Sequence, residues 1–322
     1  MSNLKSVKNR ISGIKSTQKI TRAMYMVAAS KVKKAENAVR SSRPFTLQLY
    51  DIFNKLYKEA QDENITEANS KKGFENYPEL LKIREQKTAA LVIINANKGL
   101  AGSYCANIVR YSTNMIKKLS LEGKNIKIYF VGTKAIPPIK SIQKQYKFEI
   151  DETYSNLIND INSTSSYLIA TALADEYIKG DIDVIHLITT RYKNMMTYST
   201  ESWQMLPLIT DNEKIRMFRK QELDEELDIN YDKHHIEPLS EYIPDFNSLL
   251  SMVVPMYMTN VVYQALLEAN ASELASRMTA MNSATNNAND MISALMVEYN
   301  KVRQANITNE ITEVISGANA IN

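Results

Sequence analysis

The residues whose types and spacing could do chemistry are few and scattered. The single glycine-rich turn, Asn97-Lys98-Gly99-Leu100-Ala101-Gly102-Ser103, follows an apolar run and precedes a helical pattern. Backbone amides at such a helix start can hold a phosphate. The GxxxxGK[ST] spacing of a P-loop is absent, however, and the third glycine of a dinucleotide fingerprint is missing, so a tight strand-to-helix turn is the simpler reading. His234, His235 and Glu237 are of metal-ligating types, but adjacent histidines in a charged stretch more often face solvent. Cys105 is the only cysteine, which excludes an intramolecular disulfide and any multi-cysteine metal site. As a thiol nucleophile it would need a base, and the candidate, His186, lies far off in sequence. On this chemistry the chain is not an enzyme, and no cofactor or metal is expected on it.

The elements around these residues are more informative. The chain has 322 residues but only 8 Gly and 8 Pro, and neither type occurs between Pro255 and Gly317. A helix over that stretch would be about 90 Å long at roughly 1.5 Å per residue, longer than a compact domain of this size is wide. Gly317 would mark where it frays. In the first forty residues Leu4, Val7, Ile11, Ile14, Gln18, Thr21, Tyr25, Ala28, Val32, Ala35 and Val39 step alternately by three and four, which is a heptad seam. The apolar spacing resumes after Pro44 at Leu47, Tyr50, Phe53 and Leu56, so a kinked continuation to about Ala60 is expected. A second seam runs through Leu274, Met278, Met281, Ala284, Ala288, Met291 and Leu295. The methionines Met278, Met281, Met291 and Met296 read most simply as core packing along it.

Between the seams the period changes. Residues 87–96 and 125–132 read as strands joined by a helix over 104–121, a parallel unit with a right-handed crossover. A helix over about 155–179 and strands at 184–192 and around WQMLPL follow. The expected fold class is α+β overall: a long antiparallel coiled coil of N- and C-terminal helices plus a central Rossmann-like α/β domain. The expected divisions are an N-terminal coiled-coil helix (1–62), the central α/β domain (75–210), a charged insertion (211–240) and a C-terminal coiled-coil helix (241–322). Residues 64–77 read as an exposed loop.

Charge is polarised along the chain. Residues 1–45 hold eleven Lys/Arg and one acid, Glu36, whereas 246–322 hold three basic and six acidic residues. Such a segment suits nucleic acid, but only Tyr25 is available for stacking on bases, and a solvated helix face or an acidic protein partner accounts for it better. No run approaches the roughly 18 to 20 uninterrupted apolar residues of a membrane span, and the N-terminus lacks the apolar centre of a signal peptide, so a cytoplasmic protein is expected.

The two ends carry more than generic heptads. Ser16-Thr17-Gln18-Lys19-Ile20-Thr21-Arg22-Ala23-Met24, continuing through Met26-Val27-Ala28-Ala29-Ser30-Lys31, resembles the N-terminal signature of the γ subunit of F-type ATP synthases. Ala271-Ser272-Glu273, Ser276-Arg277-Met278-Thr279-Ala280-Met281, Tyr299-Asn300-Lys301-Val302-Arg303-Gln304-Ala305 and Ile307-Thr308-Asn309-Glu310-Ile311 resemble that family's C-terminal signature. KGLAGSYC and the pair Glu237-Pro238 match its middle more loosely. The resemblance implies a central-stalk rotor shaft, non-catalytic alone, whose coiled coil enters a ring of three α and three β subunits. Mg-ATP would then be bound by those partner subunits.

Carried over as contacts with β are Arg22, Met24, Arg277, Arg303, Gln304 and Thr308, with Ile311, Val314 and Ile315 in the bearing at the top of the ring. The same resemblance implies an ε subunit and a membrane c-ring at the foot, one copy of the chain per complex, and a place on the cytoplasmic face of the cell membrane. The departures lie in the foot: Asn97-Lys98 stands where the family commonly has an acidic-Arg pair, and Ala101 and Ser103 where it has Cys and Gly. A variant complex whose foot couples to something other than a proton-driven ring, a free-standing coiled-coil adaptor and a nucleotide-binding enzyme are the alternatives.

Overall fold

A computed structural model describes residues 4–62, 77–81, 84–154, 161–208 and 246–321. The charged segment 211–240, with His234, His235, Glu237 and Pro238, lies outside the described residues, as do 63–76 and 155–160. The elements, in order, are α1 (Leu4–Asp62), α2 (Tyr77–Leu81), β1 (Thr88–Ile94), α3 (Tyr104–Leu121), β2 (Asn125–Val131), α4 (Ile136–Ile142), β3 (Glu149–Thr153), α5 (Ser163–Lys179), β4 (Val184–Tyr192), β5 (Tyr198–Leu206) and α6 (Phe246–Ile321). Helix α1 continues through Pro44, and α6 passes through both Pro255 and Gly317. Gly317 is therefore not the end of the helix. A glycine in a helix interior costs only about 0.5–1 kcal/mol, too little to stop one of 76 residues. By composition α6 contains a window apolar enough to cross a membrane, but 50% of that window is buried inside the protein, as in a core helix.

The chain divides into two compact units. The first comprises residues up to Val32, the turn Leu100–Gly102 and Leu274 onwards; the second holds Lys33–Gly99 and Ser103–Glu273.

In the second unit a five-stranded sheet has the order β3-β2-β1-β4-β5. Pairs β1/β2, β1/β4 and β2/β3 are parallel, and the β4–β5 hairpin closes the edge antiparallel. This is a doubly wound arrangement in which strand order reverses at β1. Ala90, Val92 and Ile94 of β1 point into one core with Ile169 and Leu173 of α5, Phe53 and Leu56 of α1, and Tyr257, Val262 and Leu266 of α6. Phe53 stacks on Tyr257 at 5.0 Å between ring centroids with 3° between planes. Helix α5 begins in a capping box: Asn162 accepts from the Ser165 amide while Ser165 Oγ receives the Asn162 amide. It ends at Gly180, whose φ of 83° suits the left-handed C-cap. Gly132 is also obligatory, because a Cβ there would stand 2.0 Å from the Asn95 carbonyl oxygen.

Three elements go beyond the sequence expectation. Helices α2 and α4 and strand β3 carry too little pattern to be read, since each is short and β3 pairs on one side only, where alternation is weak.

The first unit is an antiparallel helix pair. Val7 and Ile11 of α1 pack against Leu295 of α6, with Ile14 and Tyr299 alongside. Farther along α1, Gln18 donates to Asn289, and the Thr285 hydroxyl donates to that of Thr21 at 2.9 Å. Partners thus rise along one helix as they fall along the other. Of the expected N-terminal seam, Val7, Ile11, Ala28, Val32, Ala35 and Val39 are buried, and Leu4, Ile14, Gln18, Thr21 and Tyr25 half-buried. The C-terminal seam needs one correction. Met281, Ala288 and Leu295 are buried, but Met291 is 47% exposed and Met296 42%. Half-buried Ile292 takes the seam position instead, because the step after Ala288 is four rather than three. Met291 and Met296 are surface residues, not core.

Candidate functional site

The glycine turn is built for docking against a helix. Gly102 sits at φ 54° and Leu100 at φ 64°, both in the left-handed region. The Ser276 hydroxyl of α6 donates to the Ala101 carbonyl at 2.8 Å. A Cβ on Gly102 would come within 3.2 Å of Ser276 Oγ and 3.5 Å of the Ala280 Cβ, so glycine is what lets the turn approach. The preceding residues are held separately: Asn97 Oδ1 accepts the Thr133 amide at 3.0 Å, and the Ala96 carbonyl accepts that of Lys134 at 3.0 Å.

A doubly wound sheet holds its ligands beyond the carboxyl ends of the strands, where strand order reverses. Here α6 fills that place. The Thr189 hydroxyl at the end of β4 donates to the Ala265 carbonyl at 2.9 Å, and the Tyr104 hydroxyl at the start of α3 donates to the Ala269 carbonyl at 3.2 Å. Both bonds are buried. Burial and the charge of Glu273 push the Tyr104 hydroxyl well above the usual tyrosine range, so it remains a neutral donor.

Between them Glu268, fully buried, accepts from Arg43 Nε at 2.7 Å and Nη2 at 3.0 Å, from Gln264 at 3.0 Å and from the Tyr192 amide at 2.7 Å. Arg43 also donates to the Tyr192 carbonyl at 2.7 Å. Every lone pair of a buried carboxylate is thus occupied, the condition under which such a charge is tolerated. Sequence reasoning missed this network. Its signal was available: Glu268 is the first charge after Phe246, ending a 22-residue uncharged run of α6. Among the described residues no cluster of three or more His, Cys, Asp or Glu is placed to hold a metal.

The carried-over contact residues all lie on the helix pair. Arg22 is exposed and Met24 half-buried, one and three residues beyond Thr21 of the polar layer. Arg277, half-buried, sits one residue after Ser276, which anchors the glycine turn. Arg303, Gln304 and Thr308 are exposed, and the Thr308 hydroxyl donates to the Gln304 carbonyl at 2.9 Å. The six therefore form two groups, with Arg277 and Arg303 about 39 Å apart along α6 at 1.5 Å per residue. The structure brings Arg303, Gln304 and Thr308 together on neighbouring turns, but not with Arg277. From Arg303 to Gly317 every residue is exposed, and Ile311 (54%), Val314 (71%) and Ile315 (55%) present an apolar surface. In α1, ten of the eleven basic residues among the first 45 are exposed, and the eleventh is Arg43. Glu36, the one acid among them, is shared by Lys33 and Arg40 at 3.4 and 3.3 Å.

This arrangement offers exposed surface, charge and a paired helical seam, and comparison with known proteins agrees with it. A family model described as ATP synthase matches residues 3–321. The chain is similar to the ATP synthase gamma chain of Heliobacterium modesticaldum, at 35% identity over 321 residues covering all of both chains. It is 34% identical over 333 residues to that of Synechococcus elongatus, again covering all of both. Among solved structures its fold resembles a chain of the Tetrahymena thermophila mitochondrial ATP synthase central stalk and c-ring, with a TM-score of 0.54 and 24% identity, covering 82% of this chain and 99% of that one. A chain of the Euglena gracilis mitochondrial enzyme gives a TM-score of 0.56 at 18% identity, covering 99% and 94%.

Proposed function

Because this chain belongs to the ATP synthase gamma-chain family, we propose a division of labour among its surfaces, in which the helix pair meets a catalytic ring and the sheet-bearing unit meets the membrane side of the complex. The chain is a gamma-type central-stalk subunit of a rotary F-type ATPase: a non-catalytic, peripheral part of a membrane-bound complex. The helix pair enters a ring of three α and three β subunits, which hold Mg-ATP. Arg22, Met24, Arg277, Arg303, Gln304 and Thr308 touch β as the shaft turns. Ile311, Val314 and Ile315 run in an apolar bearing. An ε subunit and a membrane c-ring meet the foot on the cytoplasmic face of the cell membrane.

The observation that carries this reading is that α1 buries an apolar seam while ten of the eleven Lys/Arg among the first 45 residues are exposed. An exposed ion pair is worth only about 0 to 1 kcal/mol, so each contact with an acidic ring surface is readily broken and remade at the next position. A single buried bridge of the Arg43–Glu268 kind would instead pin the shaft. The filled crevice at the switch point of the sheet suits a chain that binds no nucleotide itself.

The test is reconstitution. One copy of the chain should co-purify with an α3β3 ring, and Arg277→Ala or Gln304→Ala should lower the ATPase rate of that assembly severalfold while leaving its composition intact. An unchanged rate in both variants would overturn the contact assignments, and detectable ATP binding by the isolated chain would count against the shaft role.

A further inference from the structure

The glycine turn Leu100–Gly102 clusters with the helix pair, although the chain on either side of it belongs to the other unit. Leu100 stands at φ 64°, a left-handed conformation that a residue other than glycine keeps only where its surroundings fix it. Its own side chain is 64% exposed and fixes nothing. Within that unit the turn is held by the buried methyl of Ala101 and by the 2.8 Å bond from the Ser276 hydroxyl to the Ala101 carbonyl. The residue after Ser276 is Arg277, one of the contact residues assigned above.

Helical phase decides what that neighbourhood does. At 3.6 residues per turn each residue of α6 points about 100° round from the last. Ser276 and Ala280, four apart, therefore share one side of the helix, and Gly102 rests on both. Buried Met281, and Thr285 whose hydroxyl reaches Thr21 of α1, point roughly 140° away from that side. Arg277 comes out between the two, about 80° from the turn and about 60° from the seam. It is half-buried, whereas Arg303, farther along the helix, is exposed. The Arg277 stem thus leaves α6 through a slot walled by the turn on one side and by α1 on the other. A long side chain loses most of its rotamers in such a slot, and those that remain point outward.

We infer that Ser276 is a positioning residue for Arg277. By holding the turn against α6, its hydroxyl keeps one wall of the slot in place and so directs the guanidinium toward the ring surface that it meets. Ser276 acts through Arg277 and not through a contact of its own. Without the hydroxyl the Leu100 backbone relaxes and the slot widens, while the charge of Arg277 and the seam with α1 stay as they are. The guanidinium then spreads over more rotamers, fewer of them productive. The inference rests on the contact assignment proposed for Arg277.

The test uses the full chain assembled with its α3β3 ring and reads the ATPase rate. Ser276→Ala removes one oxygen and puts the best helix former in its place, so α6 itself is not weakened. The rate should fall about two- to threefold, less than with Arg277→Ala. A structural role would lower the rate whatever stands at position 277, so the pairing of variants is decisive. Ser276→Ala combined with Arg277→Ala should run at the rate of Arg277→Ala alone, because the wall then has nothing to direct. Combined instead with Gln304→Ala, about 42 Å farther along α6, the two losses should multiply. An unchanged rate in Ser276→Ala, or the same fractional loss with and without the Arg277 side chain, would overturn the inference while leaving the contact assignment standing. A rate untouched by Arg277→Ala would overturn the contact assignment, and the role of Ser276 with it.

Discussion

Between Lys33 and Glu273 the two long helices press onto a sheet and bury Phe53, Leu56, Tyr257, Val262 and Leu266 in a core they share with four strands and α5. Before Val32 and after Leu274 the same two helices have mainly each other. Their apolar cluster there is Val7, Ile11 and Leu295 with Ile14 and Tyr299, followed by a polar layer of Gln18, Thr21, Thr285 and Asn289. One helix pair therefore spans two regimes, a deep core that fixes structure and a thin seam that fixes only register. A surface that must make and break contacts belongs on the thin seam, where side chains are free to face outward. A foot that must hold its shape under load belongs on the deep core.

The contrast is most exposed to attack at Glu268. Glu268→Ala leaves the half-buried Arg43 and the Tyr192 amide at the end of β4 without their carboxylate, and a loss of about 3 kcal/mol in urea unfolding is expected. A loss below about 1 kcal/mol would show that the second unit is less rigid than its core implies. Phe53→Ala should cost about 3–5 kcal/mol, through the cavity left against Tyr257. Leu295→Ala, on the thin seam at 8% exposure, should fall near 2 kcal/mol, since few neighbours surround the space it leaves.

Alkali tests the same contrast. Burial raises the hydroxyls of Tyr104 and Tyr257 above their unfolded value of about 10, so the folded state holds those protons more tightly. Their contribution is complete below pH 10 and is lost as pH climbs above it. Proteolysis during alkaline titration should accordingly open the sheet-bearing unit progressively above about pH 10. Gly102→Ala should cost about 1–2 kcal/mol, through its positive φ and the contact with Ser276, and should loosen the turn rather than the sheet. Smallest of all, Met291→Ala should leave the thermal transition within about 0.5 kcal/mol of wild type, as expected of a surface position.

The sequence made the coil legible because its periodicity repeats over many turns, and each buried apolar residue of the seam from Val7 to Val39 lies where the three-four alternation puts it. The same rule misplaced Met291. Met291 and Ile292 are adjacent and both apolar, so a step of three and a step of four from Ala288 look alike in sequence, and only the packing of Leu295 and Tyr299 decides the phase. Strands β1, β2 and β4, flanked on both sides, read as apolar runs, whereas the edge strand Glu149–Thr153, with its three acidic residues, did not. Among candidate site residues, the contact set came from resemblance alone, and nothing in its spacing distinguishes Arg303 from an ordinary exposed arginine. The Glu268 network escaped because a lone acid on a helix is read as surface unless its partner, 225 positions away, is seen beside it.

The stretch from Arg303 to Gly317 has a thermodynamic consequence of its own. Fifteen exposed residues of single helix lie near the length at which an isolated helix is only marginally stable in water, about 12 to 15 residues. Its amides should therefore exchange with solvent fastest of any in α6, by local unfolding that leaves the paired helices intact. Surrounding walls would slow that exchange without adding a single bond to this chain. The tip of the helix is thus a built-in gauge of confinement, reading through its own backbone how closely its surroundings enclose it.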